Sequence, residues 1–385
     1  MESPEFTDFD KAAMARALEL AARGLETTQP NPRVGCVIAR RDRIISEGWH
    51  ERAGAAHAEA VALSVAGPKA AESTAYVTLE PCSHHGRTPP CVNALIEAKV
   101  SRVVFAVGDP NPKVNGQGAE ALRNAGIAVQ SGLMEAEARD LNAGFIKRMQ
   151  HNVPWVRVKS AMSLDARTAL SDGESQWITG EEARADVQHW RGRSSAVLTG
   201  IGSVLADNPR LTVRAREGDD AGMPQPLRVV LDSELRTPPD AHLFAVAGEV
   251  LVLTTADFES AEIRDRAAAL ERSGAHIEGM SRATEDNADS RRADLQAVLA
   301  RLAELEVNEL LVEAGPTLAG EFVRQGLADE LLIYVAPTLL GPQGHPLFEL
   351  PQLLDLRAAH RFRLTETSRF GEDLRLRLRS VAGTH

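Results

Sequence analysis

Cysteine, aromatic side chains, positive charge and long apolar runs are all scarce in this chain, and each shortage excludes something. Three cysteines in 385 residues cannot build a disulfide framework and suit a reducing compartment. With 54 acidic against 43 basic residues the net charge is -11. That argues against a general nucleic-acid binder, whose phosphate contacts need clustered Lys and Arg. No apolar run approaches the ~18 residues of a membrane helix, and the N-terminus lacks a secretory pattern. The expectation is a soluble, cytoplasmic protein with no membrane partner. A G-x-G-x-x-G stretch is also missing, so the Rossmann fingerprint does not apply. What is present is ordinary globular material, 43% hydrophobic and 25% charged. The length is too great for one usual domain.

The few cysteines carry information by their company. Cys36, in Val34-Gly35-Cys36-Val37-Ile38, reads as a small core residue of an apolar strand. Cys82 and Cys91 are separated by eight residues and follow His57-Ala58-Glu59. One imidazole and two thiols are three zinc ligands. They leave one of the four tetrahedral positions for water, which is the catalytic rather than the structural pattern. Zinc lowers the pKa of such a water to ~7, and the carboxylate of Glu59 is then available to move protons to a leaving amine. Residues two apart point ~200° from each other on a helix. His57 and Glu59 therefore serve one metal only if a helix starts here and meets it end-on. The Ala-rich run 58–66 fits such a helix, whose N-terminal dipole favours a negative hydroxide. The H-x-E…P-C-x-x-C pattern of zinc nucleobase deaminases is similar, except that the thiols here stand farther apart. A purely structural metal in a nucleotide-binding sensor is the rival reading, and an idle Glu59 speaks against it.

Hydrophobic periodicity and turn residues predict a helix over 9–24, strands at 34–39 and 43–47, and the His57 helix. A strand at 74–79 delivers Cys82 just past its end. A helix at 93–99, a strand at 102–107, a helix at 117–125 and a short strand at 127–130 follow. Alternating strands and helices imply an α/β sheet covered on both faces, with ligands beyond the carboxyl ends of the strands. A boundary falls near 151–154, giving domains 1–151 and 152–385. The second domain opens a new series of strands at 155–161, 196–198, 228–232, 250–254, 309–312 and 330–335. Polar stretches at 214–226 and 281–292 read as surface loops.

His57-Ala58-Glu59 together with Pro81-Cys82-Ser83-His84-His85-Gly86-Arg87-Thr88-Pro89-Pro90-Cys91 resembles the deaminase half of the bifunctional riboflavin-biosynthesis deaminase/reductase family. Asn31-Pro32-Arg33-Val34-Gly35, Gly48-Trp49-His50 and Gly108-Asp109-Pro110-Asn111-Pro112 match as well. The C-terminal part resembles the reductase half at Lys159-Ser160-Ala161-Met162-Ser163-Leu164-Asp165, Glu174-Ser175-Gln176-Trp177-Ile178-Thr179, Leu205-Ala206-Asp207-Asn208-Pro209 and Val312-Glu313-Ala314-Gly315-Pro316-Thr317-Leu318. The likeness runs in order through nearly the whole chain. Ala166 departs from it, standing where the family usually has Gly.

The resemblance implies a cytidine-deaminase-like three-layer α/β/α domain followed by a dihydrofolate-reductase-like α/β domain. It implies zinc and NADPH as cofactors, and a homo-oligomer, dimer or tetramer. It also implies deamination of 2,5-diamino-6-(5-phosphoribosylamino)pyrimidin-4(3H)-one with Glu59 shuttling protons, then NADPH reduction of the ribosyl group to ribityl. Asn31 and His50, in loops before the metal helix, are candidates to hydrogen-bond the ring or ribose. His84 and Arg87, between the cysteines, are candidates for the substrate phosphate. Asp109 and Asn111 suit either ligand contact or plain turn formation. In the second domain Gly315 and Pro316 after a strand make a phosphate cradle. The amides of Thr317, Leu318, Ala319 and Gly320 are expected to face the anion, and the site extends to Glu321. Ala161, Trp177, Ser203 and Asp207 match cofactor positions. Ser233, with Arg236 nearby, stands where a 2′-phosphate is read. Ser175, Arg191, Leu211, Arg214 and Glu313 match substrate positions, with the guanidinium forks of Arg191 and Arg214 suited to phosphate. Lys159 is a candidate to position the ribose oxygen.

Overall fold

The computed structural model describes residues 6–83, 90–111, 115–214, 224–283 and 291–381. The chain divides into two compact units, Met1–Asn152 and Val153–His385.

In the first unit the elements run α1 (Asp8–Ala22), β1 (Gly35–Arg40), β2 (Arg43–Trp49), α2 (Ala58–Ala66), β3 (Thr74–Leu79), α3 (Cys91–Glu97), β4 (Arg102–Val107), α4 (Gln117–Asn124), β5 (Ala128–Ser131), α5 (Glu135–Leu141) and α6 (Ala143–His151). The sheet order is β2-β1-β3-β4-β5. β1 is antiparallel to both neighbours, while β3, β4 and β5 are parallel. Alternation along β1 decides the layers. Cys36 and Ile38 face α2, α3 and α4, and Val37 and Ala39 face α1 and the α5–α6 pair. The result is the expected three-layer α/β/α unit, with Cys36 a core residue. Asp10 pins α1 to the sheet: it accepts from Tyr76 at 2.6 Å and from Arg102 at 2.7 Å, and closes a capping box with Thr7.

The second unit runs β6 (Trp155–Ser163), β7 (Arg167–Ala169), α7 (Glu181–Arg193), β8 (Ala196–Gly200), α8 (Ile201–Asp207), β9 (Leu227–Leu231), β10 (Val250–Thr254), α9 (Ala261–Arg272), β11 (Ala275–Gly279), α10 (Leu295–Glu304), β12 (Glu309–Glu313), α11 (Pro316–Arg324), β13 (Glu330–Ala336), β14 (His345–Pro346), β15 (Phe362–Phe370) and β16 (Asp373–Ser380). Nine strands form one sheet in the order β11-β10-β9-β8-β12-β6-β13-β16-β15. The first seven in this order are parallel, and the β15–β16 hairpin adds antiparallel strands at one edge. α10 and α11 cover one face; α7, α8 and α9 cover the other. The sequence pattern missed α5–α11 apart from the helix start at Pro316, and it missed the final hairpin. Of the two stretches read as loops, residues 215–223 and 284–290 lie outside the described residues. Arg282 and Ala293 form an isolated bridge across the second.

At the amino ends of the parallel strands lies a buried ionic network. Arg157 bonds Glu309 at 2.9 Å and Glu330 at 2.5 Å, all three almost fully buried. Arg193 shares Glu309, Arg377 shares Glu330, and the Arg157 and Arg193 guanidiniums stack over Trp190. Charges this deep are tolerable only as a matched set.

Ala166 takes a left-handed conformation, φ 60°, in the turn from β6 to β7. The turn is fastened regardless: the Ala166 N–H donates to the Ser163 carbonyl and the Arg167 N–H to Ser163 Oγ. The Ser163 hydroxyl donates to Asp165, which also accepts from the Leu340 and Gly341 N–H groups. A Cβ in this region costs ~1–2 kcal/mol, more than the ~0.5–1 kcal/mol that glycine loses through unfolded-chain entropy. Ala166→Gly is therefore expected to stabilise the second unit by roughly 0.5–1 kcal/mol, seen as a higher urea midpoint; a lower midpoint would contradict this.

Candidate active sites

In the first unit, the sequence brings two helix starts to one point. His57 is the N-cap of α2, extended at φ -70°, ψ 156°, and its carbonyl takes the first helical bond from Val61. The helix can come this close because β2 carries Gly48, where a Cβ would stand 2.5 Å from the Ala58 carbonyl oxygen. Cys91 is the first residue of α3. Cys82, just past β3, is tied to it: the Cys91 N–H donates to Cys82 Sγ at 3.3 Å and the Val92 N–H to the Cys82 carbonyl. His57 Nδ1 lies 3.1 Å from Cys91 Sγ and 3.5 Å from Cys82 Sγ. All the donor atoms fall within 4.8 Å of one another.

The electrostatics suit a cation. Hydrogen bonding from Cys91, aided by His57, holds the Cys82 thiol far below its ordinary value, while the same bond and burial hold Cys91 protonated. Two thiols so close cannot both ionise on their own; a divalent cation lets both become thiolates, and two positive helix ends add to the effect. Two sulfurs and one imidazole nitrogen are a zinc donor set, so the residues fit this metal.

Glu59 is buried beside the cluster, 3% exposed. Burial, then the charge of Cys82, raises its pKa to about 6. His50 stacks edge-on against His57 with ring centroids 5.6 Å apart. Its Nδ1 lies 3.1 Å from the Ala56 carbonyl, which requires the proton there, so Nε2 accepts from the Asn31 amide at 3.1 Å. Burial, with His57 nearby, keeps the His50 pKa low. Asn31, His50, His57, Glu59, Cys82 and Cys91 thus form one constellation, while His84 and Arg87 lie outside the described residues. Glu80, a buried acid closing the apolar strand β3, went unremarked in the sequence.

In the second unit, Lys159 on β6 and Glu313 on β12 are register partners. Arg191 of α7 closes on Glu313 with Nε and Nη2, at 2.6 and 2.9 Å, and its Nη1 donates to the Thr212 carbonyl. The bidentate face of Arg191 is thus turned to Glu313. The Arg214 charge also reaches Glu313, whose pKa is lowered against burial by Arg191 first. Burial lowers the Lys159 pKa, with Glu313, Arg191 and Asp207 all within electrostatic range. Ala161 lies two residues along β6, paired with Tyr334. Leu211 is buried under α7 with φ 54°.

Gly315 is the side-chain-free N-cap of α11 and Pro316 its first residue. The first-turn N–H groups of Thr317 and Leu318 have no partner within the helix. The expected row of four amides is shorter in fact: the Ala319 N–H donates to the Gly315 carbonyl, and Gly320 packs on the Glu349 backbone. Glu321 is turned to Arg324 and Gln325. Gly200 touches Leu318, a Cβ there standing 3.2 Å from it, so α8 with Ser203 and Asp207 begins beside the cradle. Ser233 follows β9, where Arg236 faces Glu234 at 3.6 Å. Ser175 and Trp177 sit in the loop before α7; Trp177 is 69% exposed with the Arg184 guanidinium 4.6 Å over its ring.

Comparison with known proteins gives two family matches. Residues 7–107 match the cytidine and deoxycytidylate deaminase zinc-binding region, and residues 154–376 match the RibD C-terminal domain. The chain is 46% identical to the riboflavin biosynthesis protein RibD of Escherichia coli strain K12, over 96% of this chain and 99% of that one. It is 37% identical to RibD of Aquifex aeolicus, over 95% and 97%. Among solved structures, Acinetobacter baumannii RibD superposes with a TM-score of 0.87 at 43% identity, covering 97% of this chain and 99% of that one. The deaminase/reductase of Thermotoga maritima superposes with a TM-score of 0.80 at 33% identity, with the same coverage.

Cys91→Ser should lose the metal. Purified wild type is expected to carry one zinc per chain by mass spectrometric elemental analysis, and the variant well under a tenth of that; full zinc in the variant would contradict the donor set.

Proposed function

This chain belongs to the bifunctional riboflavin-biosynthesis deaminase/reductase family, and from that premise we propose how its own residues divide the two reactions. The enzyme is a zinc deaminase joined to an NADPH-dependent reductase. It removes the ring amine of 2,5-diamino-6-(5-phosphoribosylamino)pyrimidin-4(3H)-one, then reduces the ribosyl chain to give 5-amino-6-(5-phosphoribitylamino)uracil.

The deaminase half is carried by one observation, a buried carboxylate beside a three-donor metal set. His57, Cys82 and Cys91 hold the zinc, which when bound makes water a nucleophile at neutral pH. Glu59 is the catalytic proton carrier: its carboxylate, buried beside the metal donors, takes a proton and returns it to the leaving amine. His50, neutral and protonated on Nδ1, holds the Asn31 amide by its nitrogen, which leaves the Asn31 oxygen for a donor on the pyrimidine or ribose. His84 is assigned to the substrate on the family likeness alone.

For the reductase half, NADPH supplies a hydride. Gly315, Pro316, Thr317, Leu318, Ala319, Gly320 and Glu321 are assigned to its pyrophosphate; two free amides at a helix start and a side-chain-free cap support this. Ala161, Trp177, Ser203, Asp207 and Ser233 are assigned to the rest of the cofactor. Ser175, Arg191, Leu211, Arg214, Glu313 and Lys159 are assigned to the substrate. Arg191 acts by holding Glu313 in place, Arg214 takes the phosphate, and Lys159, its pKa lowered by burial, donates a hydrogen bond to the sugar oxygen. The place of Glu313 at the carboxyl end of β12, with Lys159 as its register partner on β6, supports the reading.

We assign the enzyme to the cytoplasm, since thiolate ligands need a reducing compartment; no helix among the described residues is long and apolar enough to cross a membrane. A homo-oligomer, dimer or tetramer, is proposed on the family likeness.

Glu59→Gln is expected to slow ammonia release ~10²–10⁴-fold with zinc retained, while NADPH oxidation with already deaminated substrate stays at the wild-type rate. Ammonia release at the wild-type rate in this variant would refute the assignment.

A further inference from the structure

Glu80 is 4% exposed and stands two residues before Cys82. Its carboxylate is met by backbone amides: Oε2 accepts from Gly116 at 3.1 Å and Asp109 at 3.4 Å, and Oε1 from Ala119 at 3.0 Å. Gly116 is the N-cap of α4, left-handed at φ 81°, and brings no side chain to the orphan N–H groups of that helix. Glu80, just past the end of β3, supplies the missing cap. The helix start also lies directly on the turn to Cys82. A Cβ at Gly118 would stand 2.1 Å from the Pro81 carbonyl oxygen and 3.2 Å from Glu80 Oε1. The loop after β4 is braced from the same point, since Asp109, itself buried, accepts from the Asn111 N–H at 2.8 Å.

We propose that Glu80 is a positioning residue of the deaminase: by capping α4 and holding the Asp109 loop, it fixes the Pro81-Cys82 turn and hence where Cys82 Sγ stands relative to His57 and Cys91. The proposal rests on the zinc-deaminase reading. A carboxylate is required because two oxygens serve three N–H donors; the amide nitrogen of glutamine would turn a donor toward donors. Charged acceptors of this kind also bind about twice as strongly as neutral ones.

The test is zinc affinity, measured by competition with a chromophoric chelator, together with the deaminase KM and kcat at saturating zinc. Glu80→Gln is expected to weaken zinc binding ~10–100-fold, as loss of a group supporting a metal ligand does, and to raise KM more than it lowers kcat. Gly118→Ala, which pushes on Pro81 from the other side, is expected to do the same. A lower melting temperature with unchanged zinc affinity and KM in both variants would overturn the proposal and leave Glu80 purely structural. Glu80→Asp, whose carboxylate is one methylene too short to reach the Gly116, Asp109 and Ala119 N–H groups together, serves if the glutamine variant does not fold; zinc affinity is expected to fall there too, and undiminished affinity would overturn the proposal. Wild type that binds no zinc would overturn the deaminase reading itself, and this proposal with it.

Discussion

Three donor atoms held within 4.8 Å, two of them sulfur, are the constraint on which the first unit depends. Thiols and an imidazole at this spacing repel or trade protons unless a cation sits among them. The surrounding architecture serves that requirement. β3 carries Cys82 past its carboxyl end, α3 begins on Cys91, and α2 begins immediately after His57. Because α2 arrives end-on, Glu59 follows the ligand by two residues and still lies buried at the cluster. A helix passing the metal sideways would have sent one of the two away.

Both units separate chemistry from support along their strands. In the second, Glu313 and the α11 cradle lie at and just past the carboxyl end of β12, with Lys159 beside Glu313 on β6, whereas Glu309 and Glu330 open β12 and β13 and are joined by Arg157. The charges at the two ends differ in kind. Around Arg157 every acid is matched by a guanidinium. Around Lys159 the balance is looser, with Asp207 exposed and Glu313 shared between Arg191 and the influence of Arg214.

The legibility of the sequence followed the chemistry. His57, Cys82 and Cys91 were readable because thiols are rare here and their spacing to a His-x-Glu turn is distinctive. Val250–Thr254 and Arg102–Val107 were readable as unbroken apolar strands. α7 was missed because its buried apolar side chains are only Ala183, Val187 and Trp190 within a strongly charged run. β15 and β16 were missed because arginines paired across the sheet replace the apolar residues that mark a strand. The Arg191–Glu313 pair spans 122 residues, so no local pattern announces that the Arg191 fork is turned to Glu313. Glu80 was hidden in the same way, its amide partners lying some thirty to forty residues downstream.

The central claim, an open catalytic rather than a closed structural zinc site, is tested most directly by X-ray absorption at the zinc edge of the purified protein. The account predicts two sulfurs at ~2.3 Å and two light atoms at ~2.0–2.1 Å, with the multiple scattering of a single imidazole. The scattering of two imidazoles, which would bring His50 in as a fourth protein ligand, would contradict it.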